Sequence, residues 1–167
     1  AIAFEMNVLA YDPFINAKTM MDGRVKMHQD FTALLPHVDI LTFHVPLNDQ
    51  TSNMLCEKTL EHCRHGVMVI NASRGGVVNE SDLLAALDSG LCSGLAVDVF
   101  ATEPPPADHP MRDHPRVLVT PHLGASTREA QEAVSIAAAK SLLAFLRDEG
   151  LSGAVNIAGF RVDLDPI

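Results

Sequence analysis

The sequence contains no tryptophan and a single tyrosine, and aromatic side chains make up 5% of its 167 residues. Its core must therefore be built mainly from Val, Leu, Ile, Ala and Met. No apolar run approaches the ~18 residues that a membrane-spanning helix needs. The first residues, AIAFEMNVLAYDP, have neither the basic start nor the small-residue cleavage site of a signal peptide. These absences predict a globular protein of the cytoplasm with no membrane partner.

Basic residues are also few. Lysine and arginine number 12 against 21 aspartates and glutamates, which gives a net charge of −9. Nucleic acids are bound mainly through basic side chains, so no nucleic-acid partner is expected. Cys56, Cys63 and Cys92 form no C-x-x-C pair, which indicates reduced thiols rather than disulfides. His62 and His65 flank Cys63 but supply too few ligands for zinc, so no metal site is predicted.

Two kinds of apolar segment alternate along the chain. Short, continuously apolar runs indicate buried strands, and longer segments with a capping residue and one apolar face indicate helices. This alternation predicts an α/β protein with a Rossmann-like, doubly wound parallel sheet covered by helices on both faces. The predicted strands are 6–11, 39–45, 67–71, 94–100 and 117–119. The predicted helices are 31–35 after Asp30, 57–64, one from Asn79 or Ser81 to Gly90, and one from Ser126 or Thr127 to about 148.

Three further segments are predicted to have little regular structure. Residues 16–28 are polar, and residues 101–116 hold five of the ten prolines, so both are expected to be loops. Residues 151–167 form a tail with one weak strand at 154–157 and no apparent core of its own.

The glycine fingerprint of a dinucleotide-binding unit, G-x-G-x-x-G, does not occur in the sequence. In such a unit an acidic residue follows the fingerprint by about 20 positions. The candidate acidic residue, Asp12, comes too early for that, so the sheet is expected to lack its first strand and glycine loop at the N-terminal end. Residues 1–4 would then be the last turn of the helix that this loop opens. We therefore expect a partial dinucleotide-binding domain at 1–148, a tail towards a substrate domain at 149–167, and an inactive isolated chain.

Polar residues follow the predicted strands, at the edge where an open parallel sheet binds its ligands. Asp12 ends the first strand, where its carboxylate could accept hydrogen bonds from an adenosine ribose and repel the 2′-phosphate of NADP. The alternative is a turn aspartate before proline. Arg74 follows the third strand, where it could hold a carboxylate by two parallel bonds or lie on a tight turn. Gly75 and Gly76 would let the backbone there approach a ligand closely.

Glu103 and His122 are the most specific pair in this set. They lie in loops that follow the fourth and fifth predicted strands. A carboxylate beside a histidine fixes its tautomer and favours its protonated form, as a proton donor near neutral pH requires. The remaining loop histidines that we expect to be solvated are His28, His37, His109 and His114.

Four segments together resemble one protein family. In chain order, VLAYDP, VINASRGGVVNESDLLAAL, GLAVDVFATEPP and TPHLGAST are similar to blocks of the D-isomer-specific 2-hydroxyacid dehydrogenases. The similarity runs from about residue 1 to about residue 157. It implies an oxidoreductase that transfers a hydride between NAD and a D-2-hydroxy acid. The PHLGAST form is most similar to the branch that oxidises 3-phosphoglycerate to 3-phosphohydroxypyruvate, a step of serine biosynthesis.

The resemblance also implies roles for individual residues. His122 would be the proton donor in reduction, Glu103 its catalytic partner, and Arg74 the catalytic residue that orients the substrate. The residues implied to bind NAD, rather than NADP, are Asp12, Val45, Pro46, Ala72, Ser73, Arg74, Asp98, His122, Gly124 and Ala125. The family further implies 2-hydroxy and 2-keto acids as small-molecule partners. It also implies a homodimer or higher homo-oligomer formed through this domain.

Two alternatives fit the same residues. The first is a glyoxylate or hydroxypyruvate reductase, another branch of the same family. The second is a non-metabolic corepressor of the same fold that senses NAD(H), because such proteins keep the same arginine, glutamate and histidine.

Overall fold

The computed structural model describes residues 1–147 and Gly150. Two compact units make up the chain, Ala1–His122 and Leu123–Ile167. Among the described residues, the first unit has seven strands, three α-helices and two short 3-10 helices, and the second unit has one long α-helix. Apart from Gly150, the predicted tail at 149–167 lies outside the described residues, and so does its weak strand. The predicted domain boundary near residue 148 therefore stays a prediction.

Ala1–His122 contains two β-sheets. The larger is fully parallel and has the strand order β4 (Ile40–Phe43), β5 (Val67–Asn71), β6 (Cys92–Val97) and β7 (Val117–Val119). The smaller has the order β1 (Val8–Tyr11), β3 (Val25–His28) and β2 (Thr19–Met20), with β1 parallel and β2 antiparallel to β3. The five predicted strands correspond to β1, β4, β5, β6 and β7. The α/β class with parallel strands is confirmed.

The prediction of one parallel sheet is corrected in one respect, because the strands divide into two sheets. Helix α1 (Phe31–Leu34) connects the two sheets through an aromatic side chain. The ring of Phe31 lies 6.0 Å from that of Tyr11 on β1 and 6.2 Å from that of Phe43 on β4.

The prediction of a loop at 16–28 is wrong, because β2 and β3 form there. The signal in the sequence is weak, since both residues of β2 are exposed and only Val25 of β3 is buried. A turn joins the two strands through Met21, Asp22 and Gly23, all of which have positive φ. His28, expected in a solvated loop, is instead half-buried at the end of β3.

One face of the parallel sheet carries the hydrophobic core of the unit. Val67, Val69 and Asn71 of β5 point into it and are buried, whereas the alternating residues Met68 and Ile70 are exposed. The helices of Ala1–His122 pack on this face with Leu34, Leu60, Leu83 and Leu87. Within this unit, the predicted coverage of the sheet by helices is therefore seen for one face.

Side-chain caps start α1, α3 and α4, as the sequence predicts. Asp30 accepts from the backbone N–H of Thr32 at α1, and Asn79 caps α3 (Glu80–Ser89), which ends at Gly90 with φ 81°. Thr127 caps α4 (Arg128–Leu146). A glycine is suited to the end of α3 because the left-handed conformation costs it little.

Helix α2 (Glu57–Leu60) is shorter than the predicted 57–64. Its chain continues with hydrogen bonds from His62 N to Thr59 O and from Cys63 N to Leu60 O, which tighten and close the last turn. Among the described residues, no helix combines the length and apolar character that crossing a membrane requires.

Candidate active site

The candidate site lies at the carboxyl ends of β6 and β7. These strands are parallel neighbours, with Val97 opposite Val119, so the chain segments that follow them start side by side. Asp98 follows β6 directly, and Glu103 is five residues further along. Thr120 and His122 follow β7. The sheet therefore brings the predicted residues Asp98, Glu103 and His122 to one edge.

Glu103 and His122 are in direct contact. Nδ1 of His122 lies 2.7 Å from Oε2 of Glu103, and Oε1 of the same carboxylate accepts from the backbone N–H of Phe100 at 3.0 Å. The hydrogen bond from His122 and the bond from the Phe100 N–H together lower the pKa of Glu103 below its ordinary value of 4.5. The carboxyl group is therefore an anion at neutral pH and can stabilise a positive charge on the imidazole.

His122 adopts a backbone conformation that is uncommon for a residue with a side chain. Its φ is 55°, in the left-handed region. Such a conformation costs roughly 1–3 kcal/mol when the surroundings impose it, and it occurs often at functional sites. The side chain is 48% exposed, so a small molecule can reach the ring while Glu103 holds it.

A cavity of about 430 Å³ adjoins this pair. Glu103, His122, Asp98 and Thr120 line it together with Phe100, Pro104, Pro105, Arg112, Val119 and Pro121. The hydroxyl of Thr120 donates to Oδ1 of Asp98, which fixes this second carboxylate in the lining of the cavity. The volume is within the range of pockets that take small molecules.

Arg74 follows β5 and is not among the residues that line this cavity. Its Nη1 donates to the carbonyl of Ser73 at 2.6 Å, and its own carbonyl accepts from the buried side chain of Asn71 at 3.0 Å. Asn71 Oδ1 also accepts from the backbone and hydroxyl of Ser73. Sequence reasoning missed Asn71. The signal that could have found it is a polar residue at the end of an apolar strand, immediately before the arginine.

Gly75 packs directly against another loop of the protein. A Cβ added to Gly75 would lie 1.8 Å from the carbonyl oxygen of Phe100 and 2.7 Å from the nitrogen of Ala101. The turn that carries Arg74 therefore lies directly against the backbone that leads to Glu103. The absence of a side chain at Gly75 is what allows these two loops to meet.

The residues predicted for the adenosine side follow β1 and β4. Oδ1 of Asp12 accepts from the backbone N–H of Phe14 at 2.9 Å, so Asp12 forms a turn, as one of its two interpretations predicts. Asp12 also lies directly after β1, which is the position that binding of an adenosine ribose requires. Val45 is half-buried and Pro46 is exposed just beyond β4. The carbonyl of Pro46 accepts from the hydroxyl of Thr51.

The remaining predicted cofactor residues divide between the two units. Ala72 is exposed and Ser73 is buried in the turn after β5. Gly124 and Ala125 belong to the second unit, where the carbonyl of Ala125 accepts from the side chain of Gln131 at 2.7 Å.

Two histidines expected in solvated loops are instead largely buried. The side chain of His109 is 16% exposed and lies 3.2 Å from Oε2 of Glu80. The side chain of His114 is 13% exposed and lies 3.6 Å from Oδ1 of Asp88. The expectation was wrong because the proline-rich loop packs against α3, a contact that loop composition does not reveal.

The fold and the sequence of this chain match one protein family. The chain belongs to the D-isomer specific 2-hydroxyacid dehydrogenases, since the family model of their NAD binding domain matches residues 1–124. The family prediction and the prediction of an NAD-type cofactor domain are thus confirmed.

Named relatives narrow the comparison. The chain is 39% identical to D-3-phosphoglycerate dehydrogenase of Bacillus subtilis over 163 residues, which are 98% of this chain and 31% of that protein. It is 40% identical to the Homo sapiens enzyme of the same name over 164 residues, 98% of this chain and 30% of that protein. The chain therefore spans about a third of the length of the curated relatives it matches.

Solved structures give the same fold. A glyoxylate reductase from Paecilomyes thermophila superposes with a TM-score of 0.83 at 28% identity, over 93% of this chain and 46% of that one. A NAD-dependent formate dehydrogenase from Staphylococcus aureus in complex with NAD gives a TM-score of 0.75 at 32% identity, over 86% of this chain and 42% of that one.

Proposed function

We propose that this chain supplies the cofactor domain and the acid–base pair of an NAD-dependent dehydrogenase acting on a D-2-hydroxy acid. The observation that carries the proposal is the contact of His122 with Glu103, at 2.7 Å, beside a cavity at the carboxyl end of a parallel sheet. A histidine held by a carboxylate is suited to exchange a proton with the oxygen of a hydroxy or keto acid.

The geometry supports a division of labour within the imidazole. Nδ1 faces Glu103 and donates to its carboxylate, so we assign Nε2 to the substrate oxygen. During reduction of a keto acid, Nε2 gives up its proton to that oxygen. During oxidation of the hydroxy acid, Nε2 accepts the proton. Glu103 stays anionic in both directions, which stabilises the imidazolium form.

We assign orientation of the substrate to Arg74. A guanidinium can hold the two oxygens of a keto acid or carboxylate with parallel hydrogen bonds, which a lysine cannot do. Asn71 and Gly75 fix the turn that carries Arg74, the first by accepting and donating bonds within the turn and the second by its contact with Phe100.

The residues present fit the dinucleotide at both of its ends. Asp12 places a carboxylate at the end of β1, where it suits the hydroxyls of an adenosine ribose, and the backbone at Ala72 and Ser73 and the carboxylate of Asp98 suit the nicotinamide end. When bound, NAD supplies the hydride acceptor and NADH the hydride donor. Because the charge of Asp12 disfavours a 2′-phosphate, we propose a preference for NAD over NADP.

We further propose 3-phosphoglycerate as the hydroxy acid. Support comes from the names of relatives in Bacillus subtilis and Homo sapiens, both D-3-phosphoglycerate dehydrogenases at about 40% identity. In serine biosynthesis this substrate becomes 3-phosphohydroxypyruvate. A glyoxylate or hydroxypyruvate reductase is the second candidate, which the structural similarity to a glyoxylate reductase favours.

Steady-state kinetics with competing substrates separate these candidates. Reduction of 3-phosphohydroxypyruvate, hydroxypyruvate and glyoxylate by NADH would be compared in the full-length protein. We expect the highest kcat/KM for 3-phosphohydroxypyruvate. A higher kcat/KM for glyoxylate or hydroxypyruvate would favour the reductase. Binding of NADH with no turnover of any of the three would favour the NAD(H)-sensing corepressor.

The assembly and the location of the protein are also proposals. We propose a homodimer or a higher homo-oligomer formed through this domain, in the cytoplasm, as the family resemblance implies. Sedimentation of the full-length protein over a range of concentrations tests the first point, and a strictly monomeric species would contradict it.

A further inference from the structure

Glu80 binds the loop that carries Glu103, although it lies outside the cavity beside His122. It is the first residue of α3, and its side chain is 20% exposed. Oε1 accepts from the backbone N–H of Ala101 at 2.7 Å, and Oε2 lies 3.2 Å from Nε2 of His109. One carboxylate thus holds the proline-rich loop at two points, eight residues apart.

The second of these points defines the tautomer of His109. Its Nδ1 accepts from the backbone N–H of Met111 at 3.3 Å, so Nδ1 carries no proton in this arrangement. Nε2 must then carry the proton and donate it to Glu80. The ring also meets Phe100 edge to face, with centroids 5.2 Å apart. Contacts with Glu80, Met111 and Phe100 therefore fix the ring of His109.

The contacts of Glu80 lead directly to Glu103. Ala101, which Glu80 holds, is bonded to Phe100, and the N–H of Phe100 donates to Oε1 of Glu103. Gly75 packs against the same peptide group between Phe100 and Ala101. Two successive backbone N–H groups are thus each held by a carboxylate, one by Glu103 and the next by Glu80. A displacement of this peptide would move the donor that orients the partner of His122.

We propose that Glu80, acting with His109, is a positioning residue for the reaction. It holds the backbone at Phe100 and Ala101 so that Glu103 meets Nδ1 of His122. This proposal rests on the proposed function, in which His122 exchanges the proton. A residue that only stabilised the fold would affect the unfolding midpoint, whereas a positioning residue must also affect the pH dependence of the reaction.

The test compares Glu80→Ala with Asp82→Ala in the full-length protein. Asp82 is a matched control because it lies in the same first turn of α3 and also accepts from a distant backbone N–H, that of Glu57 at 2.8 Å. We expect Glu80→Ala to lower kcat by about 10- to 100-fold, as small misplacements of catalytic groups do, with a smaller change in the KM for NADH. The pH profile of reduction should shift to lower pH, because a displaced Glu103 stabilises the imidazolium form of His122 less well. Asp82→Ala should show neither effect.

Equal kcat and equal pH profiles for Glu80→Ala and Asp82→Ala would overturn the proposal. If Glu80→Ala does not fold, Glu80→Gln takes its place. Glutamine keeps an oxygen for the Ala101 N–H and presents an NH2 group to Nε2 of His109, so it breaks one contact and not both. Unchanged pH dependence in a folded Glu80→Gln protein with a displaced His109 ring would then be the contradicting result.

NMR of the histidine side chains separates this proposal from the proposed function. The spectra should show His109 in the Nε2–H tautomer, and Glu80→Ala should move the Nδ1–H resonance of His122, which Asp82→Ala should leave in place. This measurement needs no turnover. A protein that reduced no keto acid would refute the proposed function, whereas an unchanged Nδ1–H resonance of His122 in Glu80→Ala would refute the role of Glu80.

Discussion

Nδ1 of His122 lies 2.7 Å from Oε2 of Glu103, although 19 residues separate them and each stands on a different loop. The parallel register of β6 and β7 starts these loops side by side, and the N–H of Phe100 holds the second oxygen of the carboxylate. The contact between Glu103 and His122 thus depends on the sheet edge together with the backbone that precedes Glu103.

Removal of the charge on Glu103 should shift the pH dependence of the reaction. Glu103→Gln keeps the size of the side chain but no longer stabilises the imidazolium. The pH profile of keto-acid reduction should therefore move to lower pH, with a smaller fall in turnover than removal of His122 gives. Glu61→Gln, at an exposed glutamate of α2's closing turn, serves as the control. An unmoved profile in Glu103→Gln would contradict this.

The lowered pKa of Glu103 determines the pH range in which its contact with His122 stabilises the fold. A carboxyl whose pKa is lower in the folded chain stabilises the fold above its unfolded value, 4.5, and this contribution is lost as the pH falls through the folded value. At neutral pH Glu103 stays ionised. Changes of rate near neutral pH therefore report on other groups.

Gly75→Ala should destabilise the protein and disturb the site. The new Cβ would lie 1.8 Å from the carbonyl oxygen of Phe100. The backbone fixes the positions of both atoms, so no change of side-chain rotamer can relieve this clash. We expect a loss of about 1–3 kcal/mol or more, as overpacking gives, measured by chemical denaturation. Gly94→Ala is the matched control because its nearest neighbours would be 3.8 Å away. Equal stability of the two variants would contradict the close approach.

Asp12→Asn should weaken the preference for NAD over NADP. Asparagine keeps an Oδ1 acceptor for the N–H of Phe14, so the turn after β1 is retained while the negative charge is lost. The ratio of kcat/KM for NADH to that for NADPH should fall, because the repulsion of the 2′-phosphate disappears. Steady-state kinetics with both cofactors measure this ratio. A ratio equal to that of the parent protein would leave Asp12 as a turn residue alone.

The thiols of Cys63 and Cys92 should react slowly in the folded protein. Burial raises the pKa of both to about 11, and the neighbouring Cys92 contributes to the rise at Cys63. At pH 7.5 alkylation should reach these residues only after denaturant is added, as mass spectrometry would show. Between pH 9.0 and 11 the two thiols ionise readily only in the unfolded chain. The stability of the fold should therefore fall as the pH rises through this range. Rapid alkylation of Cys92 without denaturant would contradict its burial.

Much of the fold could be predicted because local patterns agree with the tertiary structure. The strand at 67–71 and the strand at 117–119 have the bounds that the apolar runs predict. Asp30, Asn79, Thr127 and Gly90 lie at the helix ends, where their side chains or φ angles satisfy the local backbone. Strand bounds and helix caps depend on neighbouring residues, so they can be predicted from the sequence.

The parts that could not be predicted depend on contacts between distant segments. Strand β2 is exposed and β3 has a single buried residue, so their stability comes from pairing and not from composition. The burial of His109 depends on Glu80, 29 residues away. Gly75 was expected to allow a close approach to a ligand, whereas its close contact with the backbone of Phe100 is visible only in the structure.

The central claim is that His122 exchanges the proton of the reaction, and the turnover of His122→Asn tests it most directly. Reduction of 3-phosphohydroxypyruvate by NADH would be followed across pH in the full-length protein, beside His65→Asn. His65 is the matched control because it is exposed and precedes β5, at the opposite end of the sheet. We predict that His122→Asn loses about 10²–10⁴-fold in kcat, while His65→Asn keeps the parent rate and pH profile. Near-parent turnover of His122→Asn with an unchanged pH profile would contradict the account.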